Sequence, residues 1–310
     1  QGMSSEEIFP SLAVKDIQNV ADLLLPTYHR TDGRDGFVSL EVSPTLAHDT
    51  TGTIEEARDL WALVNRPNAM IKVPATSEGI PAIRELTGEG INVNITLLFG
   101  LPRYREVADA YLDGLEMLAA KGRPLKQVAS VASFFLSRID SLIDPILEKK
   151  MMTDNPQAGI AERLQGQVAI ASAKVAYEMY KEIFGSERFA SLAKKGARTQ
   201  KLLWASTSTK NPAYSDTKYM EALIGPDTIN TVPVETLDAY RDRGHPEQTL
   251  DQEVREAYQL LDSLSSVGID LDAVTQQLED QGVEKFITAF NRLMASLKEK
   301  AAGVHELHGR

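Results

Sequence analysis

The spacing of apolar residues changes repeatedly along the chain between a helical period and a period of two. The helical spacing predicts helices at 4–25, 53–65, 79–88, 102–120, across most of 138–195 and at 234–300. The two-residue spacing predicts strands at 36–42, 69–74, 91–98, 127–135, 201–206 and 228–232. Strands that are separated by helices in this way are typical of parallel β/α units.

Local signals mark some of the predicted helix ends. Thr53 followed by Glu56 has the spacing of a capping box, which predicts that the second helix begins at Thr53. Gly122 follows the fourth helix and suits a C-terminal cap. The run 153–156, Thr-Asp-Asn-Pro, predicts a break in the helical stretch 138–195.

The fold class is α/β, and the choice lies between an open doubly wound sheet and a closed barrel. No glycine-rich phosphate fingerprint follows a predicted strand, which disfavours a dinucleotide-binding sheet. Polar residues on one face of the strands suit a (β/α)8 TIM-type barrel, which turns them inward near its active end. No low-complexity linker or internal repeat divides the chain. We therefore expect 1–310 to form a single barrel domain, with a helical insertion at about 138–195 and a helical C-terminal part at 234–300.

Composition and charge exclude several classes of protein. The absence of cysteine excludes disulfide and thiolate chemistry and agrees with a reducing, cytoplasmic location. No apolar run reaches the roughly 18–20 residues of a membrane span. The net charge of -11 argues against partners such as nucleic acid or an anionic membrane. The five histidines are scattered without metal-ligand spacing, so no metal site is expected.

A lysine in the second predicted strand is the first candidate for chemistry. Lys72 lies on the opposite face from Ile71 and Val73 in an otherwise apolar strand. Burial disfavours the charged form of an amine, and a neutral amine is a nucleophile for carbonyls. The alternative is structural, in which Lys72 forms an ion pair or extends its amine to the strand end.

The strands on either side of Lys72 share its pattern. Ser39 and Glu41 lie opposite the apolar face of the first predicted strand, and Asn92, Asn94 and Thr96 lie opposite that of the third. Both faces of a parallel sheet covered by helices are usually buried, so a polar face in solvent is a poor explanation. We expect these polar faces to converge inside the barrel.

Four segments resemble one enzyme family, and the similarity runs from about residue 5 to about residue 300. Segment 71–80, Ile-Lys-Val-Pro-Ala-Thr-Ser-Glu-Gly-Ile, resembles the Schiff-base lysine segment of transaldolases. Segment 90–99 is similar to the next barrel strand of these enzymes. Segment 39–44 is similar to the strand that supplies their catalytic glutamate. Segment 203–214 resembles the long bacterial branch in particular.

The resemblance implies an enzyme of the pentose phosphate pathway that transfers a dihydroxyacetone unit between sugar phosphates. Sedoheptulose 7-phosphate and fructose 6-phosphate would be its donors, and glyceraldehyde 3-phosphate and erythrose 4-phosphate its acceptors. Lys72 would form the imine, and Glu41 would move protons through a water that Thr96 helps to hold. Asn94 would hydrogen-bond the bound fragment, and Asn92 would be a supporting or neighbouring polar group. No cofactor is implied.

The same resemblance implies a phosphate site at the barrel rim, which suits an arginine because its planar fork can meet two phosphate oxygens. The structural alternative for the arginine of this segment, Arg138, is an ion pair with Asp140 or Asp144 on the following helix. The phosphate-binding residues that the resemblance implies are Ser133, Arg138, Ser206 and Lys210.

The chain departs from the family at its start. Transaldolases have two further strands before the helix at 4–25, which supply an aspartate and an asparagine to the site, and we find no counterpart here. Six strands would leave two open parallel edges. We therefore expect an open gap or association with a second copy as a homo-oligomer, rather than a closed six-stranded barrel.

Two alternatives to a transaldolase stay open. One is a related lysine aldolase that releases dihydroxyacetone, although the setting of Glu41 and Asn94 favours transfer. The other is an N-terminally truncated, weakly active or inactive relative that only binds sugar phosphates. Borohydride trapping of fructose 6-phosphate on the chain would separate an enzyme from a silent binder.

Overall fold

The computed structural model describes residues 5–152 and 156–308, and its strands form one parallel sheet in sequence order. Within the described residues the edge strands, the first and the sixth, do not pair with each other. The α/β class and the six predicted strands are therefore confirmed, in a sheet consistent with a TIM-type barrel. The strands are β1 (Val38–Glu41), β2 (Ala69–Pro74), β3 (Val93–Leu98), β4 (Ser130–Phe135), β5 (Lys201–Ala205) and β6 (Thr228–Asn230).

Helices separate the strands and follow the last of them. They are α1 (Ser5–Arg30), α2 (Thr50–Val64), α3 (Gly79–Gly88), α4 (Leu101–Ala120), α5 (Ser137–Met151), α6 (Ala158–Leu164), α7 (Val168–Phe184), α8 (Glu187–Ala193), α9 (Lys218–Glu221), α10 (Val234–Arg243), α11 (Val254–Ser263) and α12 (Leu271–His308). The described part of the predicted helical stretch 138–195 thus contains four helices, α5 to α8, while the predicted break at 153–156 falls mostly outside the described residues. Among the residues described, no helix combines the length and apolar character that a membrane crossing requires.

The start of α2 differs from the prediction. This helix begins at Thr50, and the Asp49 side chain caps it. The predicted capping box was wrong, because the Thr53 hydroxyl and the Glu56 carboxylate instead bond the connection between β1 and α2. These two side chains therefore attach α2 to the chain that leaves β1 and do not cap the helix.

One face of the sheet forms the core beneath the helices. Ile71, Val93, Ile95 and Trp204 on this face are all 0% exposed. Burying such side chains contributes about 1.5–3 kcal/mol each. Because side chains alternate between the two faces, this burial directs the polar residues of the same strands to the opposite face.

Helix α12 crosses the carboxyl end of the sheet and contacts both β3 and α5. A Cβ at Gly282 would lie 2.8 Å from the Leu97 side chain, so glycine allows the close approach of this helix. Leu97 itself has a φ of 54°, next to an irregularity in the pairing of β3 with β4. Strained backbone of this kind is common near functional sites.

Asn68 offers a test of how α1 is held to the sheet. Its amide is 0% exposed and donates to the carbonyls of Ala21 (2.8 Å) and Gly36 (2.9 Å). Asn68→Ala should lower the free energy of unfolding by about 1–3 kcal/mol in denaturant titrations, since two hydrogen bonds are lost. Ser11→Ala, which removes an exposed hydroxyl bond to the Ile8 carbonyl within α1, is the control and should change it by less than about 0.5 kcal/mol. Equal losses in the two variants would contradict this role.

Candidate active site

The parallel register brings three of the predicted catalytic residues together. Glu41 on β1 is the partner of Lys72 on β2, and Lys72 is in turn the partner of Asn94 on β3. Paired residues of neighbouring strands project from the same face of a sheet. The Lys72 Nζ lies 3.4 Å from the Glu41 Oε2, so amine and carboxylate are in direct contact.

Partial burial sets the electrostatics of this pair. The side chains of Lys72 and Glu41 are 26% and 28% exposed. Burial raises the pKa of Glu41, and the positive charge and hydrogen bond of Lys72 oppose the rise. Glu41 therefore takes up a proton at a higher pH than an ordinary glutamate, which suits a group that exchanges protons during catalysis. The structural alternative for Lys72, an ion pair, is present, but its partner is the predicted catalytic carboxylate.

Asn94 is held at both ends of its amide. Its Nδ2 donates to the Ser39 Oγ (3.0 Å), and its Oδ1 accepts from the Ser133 Oγ (2.7 Å). This row of hydrogen bonds fixes the orientation of Asn94 beside Lys72. Ser39 was not among the predicted site residues, although its spacing from Glu41 was the available signal.

Thr96 lies one step further along the same face of β3. The residue is 0% exposed, and its hydroxyl has no hydrogen-bond partner within the described part of the chain. Nearly all buried hydroxyls in proteins are paired with protein or ordered water. The Thr96 hydroxyl is therefore a point at which a water or a substrate group can be held.

Asn92 does not join this group. Its Nδ2 donates to the carbonyls of Pro67 (3.1 Å) and Ala69 (3.0 Å), and its Oδ1 accepts from the Ala129 amide (2.8 Å). These partners lie where β2 and β4 begin, at the end of the sheet opposite to the carboxyl ends of the strands. The expectation that Asn92 supports or neighbours the catalytic group was wrong, because the amide is fully used in tying the strand starts together.

Arg138 lies in the first turn of α5, directly after β4. Its guanidinium is 5.3 Å from the centroid of the Phe135 ring, and burial lowers its pKa. Among the described residues it forms no ion pair. The alternative pairings were wrong: Asp140, two residues on, lies on another side of the helix, and both Asp140 and Asp144 have other partners.

The remaining phosphate candidates are divided by the structure. Ser206 is joined to the residue before Arg138, since the hydroxyls of Ser137 and Ser206 lie 2.9 Å apart. Lys210 is exposed, and its Nζ donates to the Ser208 Oγ (2.7 Å) beside the later turns of α5. Ser206 is therefore joined to the helix turn that carries Arg138, whereas Lys210 bonds Ser208 instead. Ser133 lies with the Lys72 group through its bond to Asn94.

The possible metal ligands and a cavity elsewhere in the described residues leave this assignment unchanged. In 5–152 and 156–308, no three His, Cys, Asp or Glu side chains are placed to share a metal ion. A cavity of about 370 Å³ lies at the opposite end of the strands and contains none of the predicted site residues. Its lining includes Phe37, Met70, Val131, Arg198, Lys201 and Ile229.

The site defines a class before it defines a family. A lysine amine beside a carboxylate and an oriented amide, on adjacent strands of a parallel β/α sheet, is equipped to attack a carbonyl and to move protons. The helix-start arginine near this site is equipped to hold an anionic group. Together these features describe an enzyme of carbonyl compounds that carry an anionic group.

Comparisons with known proteins identify the family. The model of the transaldolase/fructose-6-phosphate aldolase family matches residues 1–297. A transaldolase of Trichodesmium erythraeum is 47% identical and covers 95% of this chain and 78% of its own length. A transaldolase of Thiobacillus denitrificans is 48% identical over 94% of this chain and 80% of its own length. The chain thus belongs to the transaldolase/fructose-6-phosphate aldolase family, and it spans about four fifths of the length of these relatives.

The pKa of Glu41 provides a direct test of the pair. Lys72→Met removes the cation that opposes the burial effect, so the pKa of Glu41 should rise further above its value in the unsubstituted protein. A titration of ¹³C-labelled glutamate carboxyls by NMR would measure the change. Glu56 is the control, because burial raises its pKa without a contribution from Lys72. An unchanged or lowered pKa of Glu41 would show that the two groups are not coupled.

Proposed function

We propose that this chain transfers a dihydroxyacetone unit between sugar phosphates through an imine on Lys72. Family membership and relatives named transaldolase indicate the transaldolase activity. The observation that supports the proposed route is the contact between the Lys72 amine and the Glu41 carboxylate at 3.4 Å, with Asn94 in register beside them.

Imine formation uses the lysine and the carboxylate together. The neutral amine of Lys72 attacks the C2 carbonyl of the donor, and the carbinolamine then loses its hydroxyl as water. Glu41 in its protonated form supplies the proton for that departure, which its raised pKa favours. The unpartnered hydroxyl of Thr96 supports a water that relays this proton. Hydrolysis of the imine reverses these steps.

Cleavage and transfer depend on the imine as an electron sink. When the C3–C4 bond breaks, its electron pair enters the protonated imine to give an enamine. The C4 hydroxyl gives its proton to the Glu41 carboxylate, which imine formation left ionised, and an aldose leaves. The enamine then forms a new bond to the aldehyde carbon of the acceptor, and the aldehyde oxygen takes the proton back from Glu41. Asn94, fixed by Ser39 and Ser133, would hold the hydroxyls of the bound three-carbon fragment during both steps.

We place the phosphate of the sugars at Arg138 and Ser206. The guanidinium has no carboxylate partner among the described residues, so a phosphate would not have to displace one. The amino end of α5 adds the positive end of a helix dipole at the same place. Lys210 stays a predicted second cation, although it bonds Ser208 here, and the Ser133 hydroxyl is engaged with Asn94.

A second function, release of dihydroxyacetone in an aldolase reaction, also falls within the family whose model the chain matches. Release requires that water reach the enamine and imine before an acceptor aldehyde does. The relatives at 46–48% identity are named transaldolase, which favours transfer. The amounts of transfer product and of free dihydroxyacetone formed from fructose 6-phosphate in the presence of erythrose 4-phosphate would separate the two.

Trapping of the imine tests the role of Lys72. Sodium borohydride with fructose 6-phosphate should add one reduced dihydroxyacetone unit to the chain, and peptide mass spectrometry should locate it on Lys72. Lys72→Met should abolish trapping while the far-UV circular dichroism is retained, because Met has a similar volume. Lys181→Met is the control, since Lys181 is also paired with a carboxylate, that of Glu178 (2.7 Å), but lies on α7 away from the Glu41 pair. An adduct on any other lysine would overturn the assignment.

A comparison of two donors tests the role of Arg138. Arg138→Ala should raise the concentration of fructose 6-phosphate that half-saturates trapping by roughly 10- to 150-fold, since a charge-assisted hydrogen bond contributes about 1.5–3 kcal/mol. Trapping of free dihydroxyacetone, which has no phosphate, should stay within about twofold of the unsubstituted protein. Arg188→Ala, which removes an arginine paired with acidic residues on the outside of α4, should alter neither donor. Equal losses for both donors would remove Arg138 from the phosphate site.

A further inference from the structure

A buried polar cluster lies behind the first turn of α5 and takes no part in the proposed chemistry. Its centre is a pair of carboxylates on one side of α5, Asp140 and Asp144, which are 2% and 4% exposed. Residues four apart face the same way on a helix, so the two side chains project together. Burying two carboxylates is costly unless each finds several partners.

Each carboxylate binds one backbone amide and one tyrosine hydroxyl. Asp140 accepts from the Ala169 amide (2.9 Å) and the Tyr219 hydroxyl (2.7 Å). Asp144 accepts from the Gly166 amide (2.8 Å) and the Tyr214 hydroxyl (2.7 Å). The cluster therefore joins α5 to the turn before α7 and to the segment 211–219.

Lys218 completes the cluster on the side of the tyrosines. Its Nζ lies 3.7 Å from the Asp140 Oδ2 and 3.6 Å from the centroid of the Tyr214 ring. A Cβ at Gly166 would lie 2.6 Å from both the Lys218 Nζ and the Tyr214 hydroxyl, and the φ of Gly166 is 66°. Only glycine fits this turn without displacing the tyrosine. Helix α5, the turn before α7 and the segment 211–219 are therefore closely packed against one another.

The segment held in this way is the continuation of the proposed phosphate site. The chain leaves β5 at Ser206, which bonds Ser137, and reaches Tyr214 after a stretch that contains Lys210 and no regular helix or strand. Such a connection has few internal restraints. Without its bonds to α5 it would lose conformational entropy when a ligand orders it. Its two ends are both fastened to α5, one beside Arg138 and the other at Asp144.

We propose that Tyr214 and Tyr219 are positioning residues for the phosphate end of the substrate. Their hydroxyls fasten the far end of the segment 206–219 to the carboxylates of α5, while the amide and hydroxyl of Ser137 bond Ser206 at its start. The inference rests on the proposed phosphate role of Arg138 and Ser206, and it adds a cause for their mutual placement. Neither tyrosine contacts the Lys72 group, so imine chemistry itself does not depend on them.

Tyr214→Phe is the decisive variant, because it removes one hydroxyl from a partly exposed ring and keeps the packing of the ring against Lys218. Half-saturation of borohydride trapping should require about two- to tenfold more fructose 6-phosphate, the range that one hydrogen bond produces. Half-saturation by free dihydroxyacetone should not change. Tyr180→Phe is the matched control, because its hydroxyl also bonds a side chain, Thr199 (3.0 Å), before β5 at the opposite end of the sheet.

A double variant separates positioning from a merely structural role. If Tyr214 acts through the arginine, the change in half-saturating fructose 6-phosphate that Tyr214→Phe causes should largely vanish in an Arg138→Ala background. Equal losses for both donors, or fully additive effects in the double variant, would overturn the proposal. If Tyr214→Phe does not fold, Tyr219→Phe, which removes the corresponding hydroxyl bond to Asp140, is to be measured in its place with the same expectations.

Failure of this inference can be told apart from failure of the phosphate assignment. If Arg138→Ala weakens trapping of fructose 6-phosphate and of free dihydroxyacetone equally, both the phosphate site and the positioning role are wrong. If Arg138→Ala weakens only fructose 6-phosphate while Tyr214→Phe weakens both donors equally, the positioning role alone is wrong.

Discussion

The register of β1, β2 and β3 is the constraint on which the proposed chemistry depends. It places Glu41, Lys72 and Asn94 at neighbouring positions, and a slip of one residue would turn any of them to the face beneath the helices. That slip is prevented from the other side of the sheet. Ile71, Val93 and Ile95 are fully buried there, and exposing them would forfeit several kcal/mol. The burial of apolar side chains under the helices thus fixes which polar side chains face each other.

A polar face inside a sheet has its own cost, and the residues of this face offset it among themselves. Glu41 meets Lys72, while Asn94 uses both ends of its amide on Ser39 and Ser133. Groups that are already paired and oriented need little rearrangement when charge develops nearby. Thr96 is the exception, since its buried hydroxyl has no partner among the residues that the structure describes and the following residue, Leu97, has left-handed backbone. An unsatisfied buried hydroxyl beside strained backbone is expected where a water or a substrate is bound.

Period-two spacing was sufficient to predict the six strands and the polar face of the first three, because burial of one face is a local and repeated signal. The same spacing does not say at which end of a strand a residue lies relative to its neighbours. Asn92 and Asn94 look equivalent along the chain, yet Asn92 ties the strand starts and Asn94 meets Lys72. Contacts set by tertiary packing could not be predicted from the sequence either. Thr53 and Glu56 have the spacing of a cap but bond the connection after β1. Asp140 is close to Arg138 in the chain but faces away from it and bonds Tyr219.

The two ends of the proposed substrate are served by different kinds of structure. The imine end is built on the strands, where register leaves little freedom. The phosphate end is built on a helix start and a long connection, where placement depends on side-chain bonds such as those of Asp144 and Tyr214. Strand β4 connects the two, since Ser133 on it bonds Asn94 and the chain reaches Arg138 five residues later. If the proposed phosphate site is right, changes in the connection after β5 act on the phosphate end of the substrate, while the sheet keeps the geometry of Lys72 and Glu41.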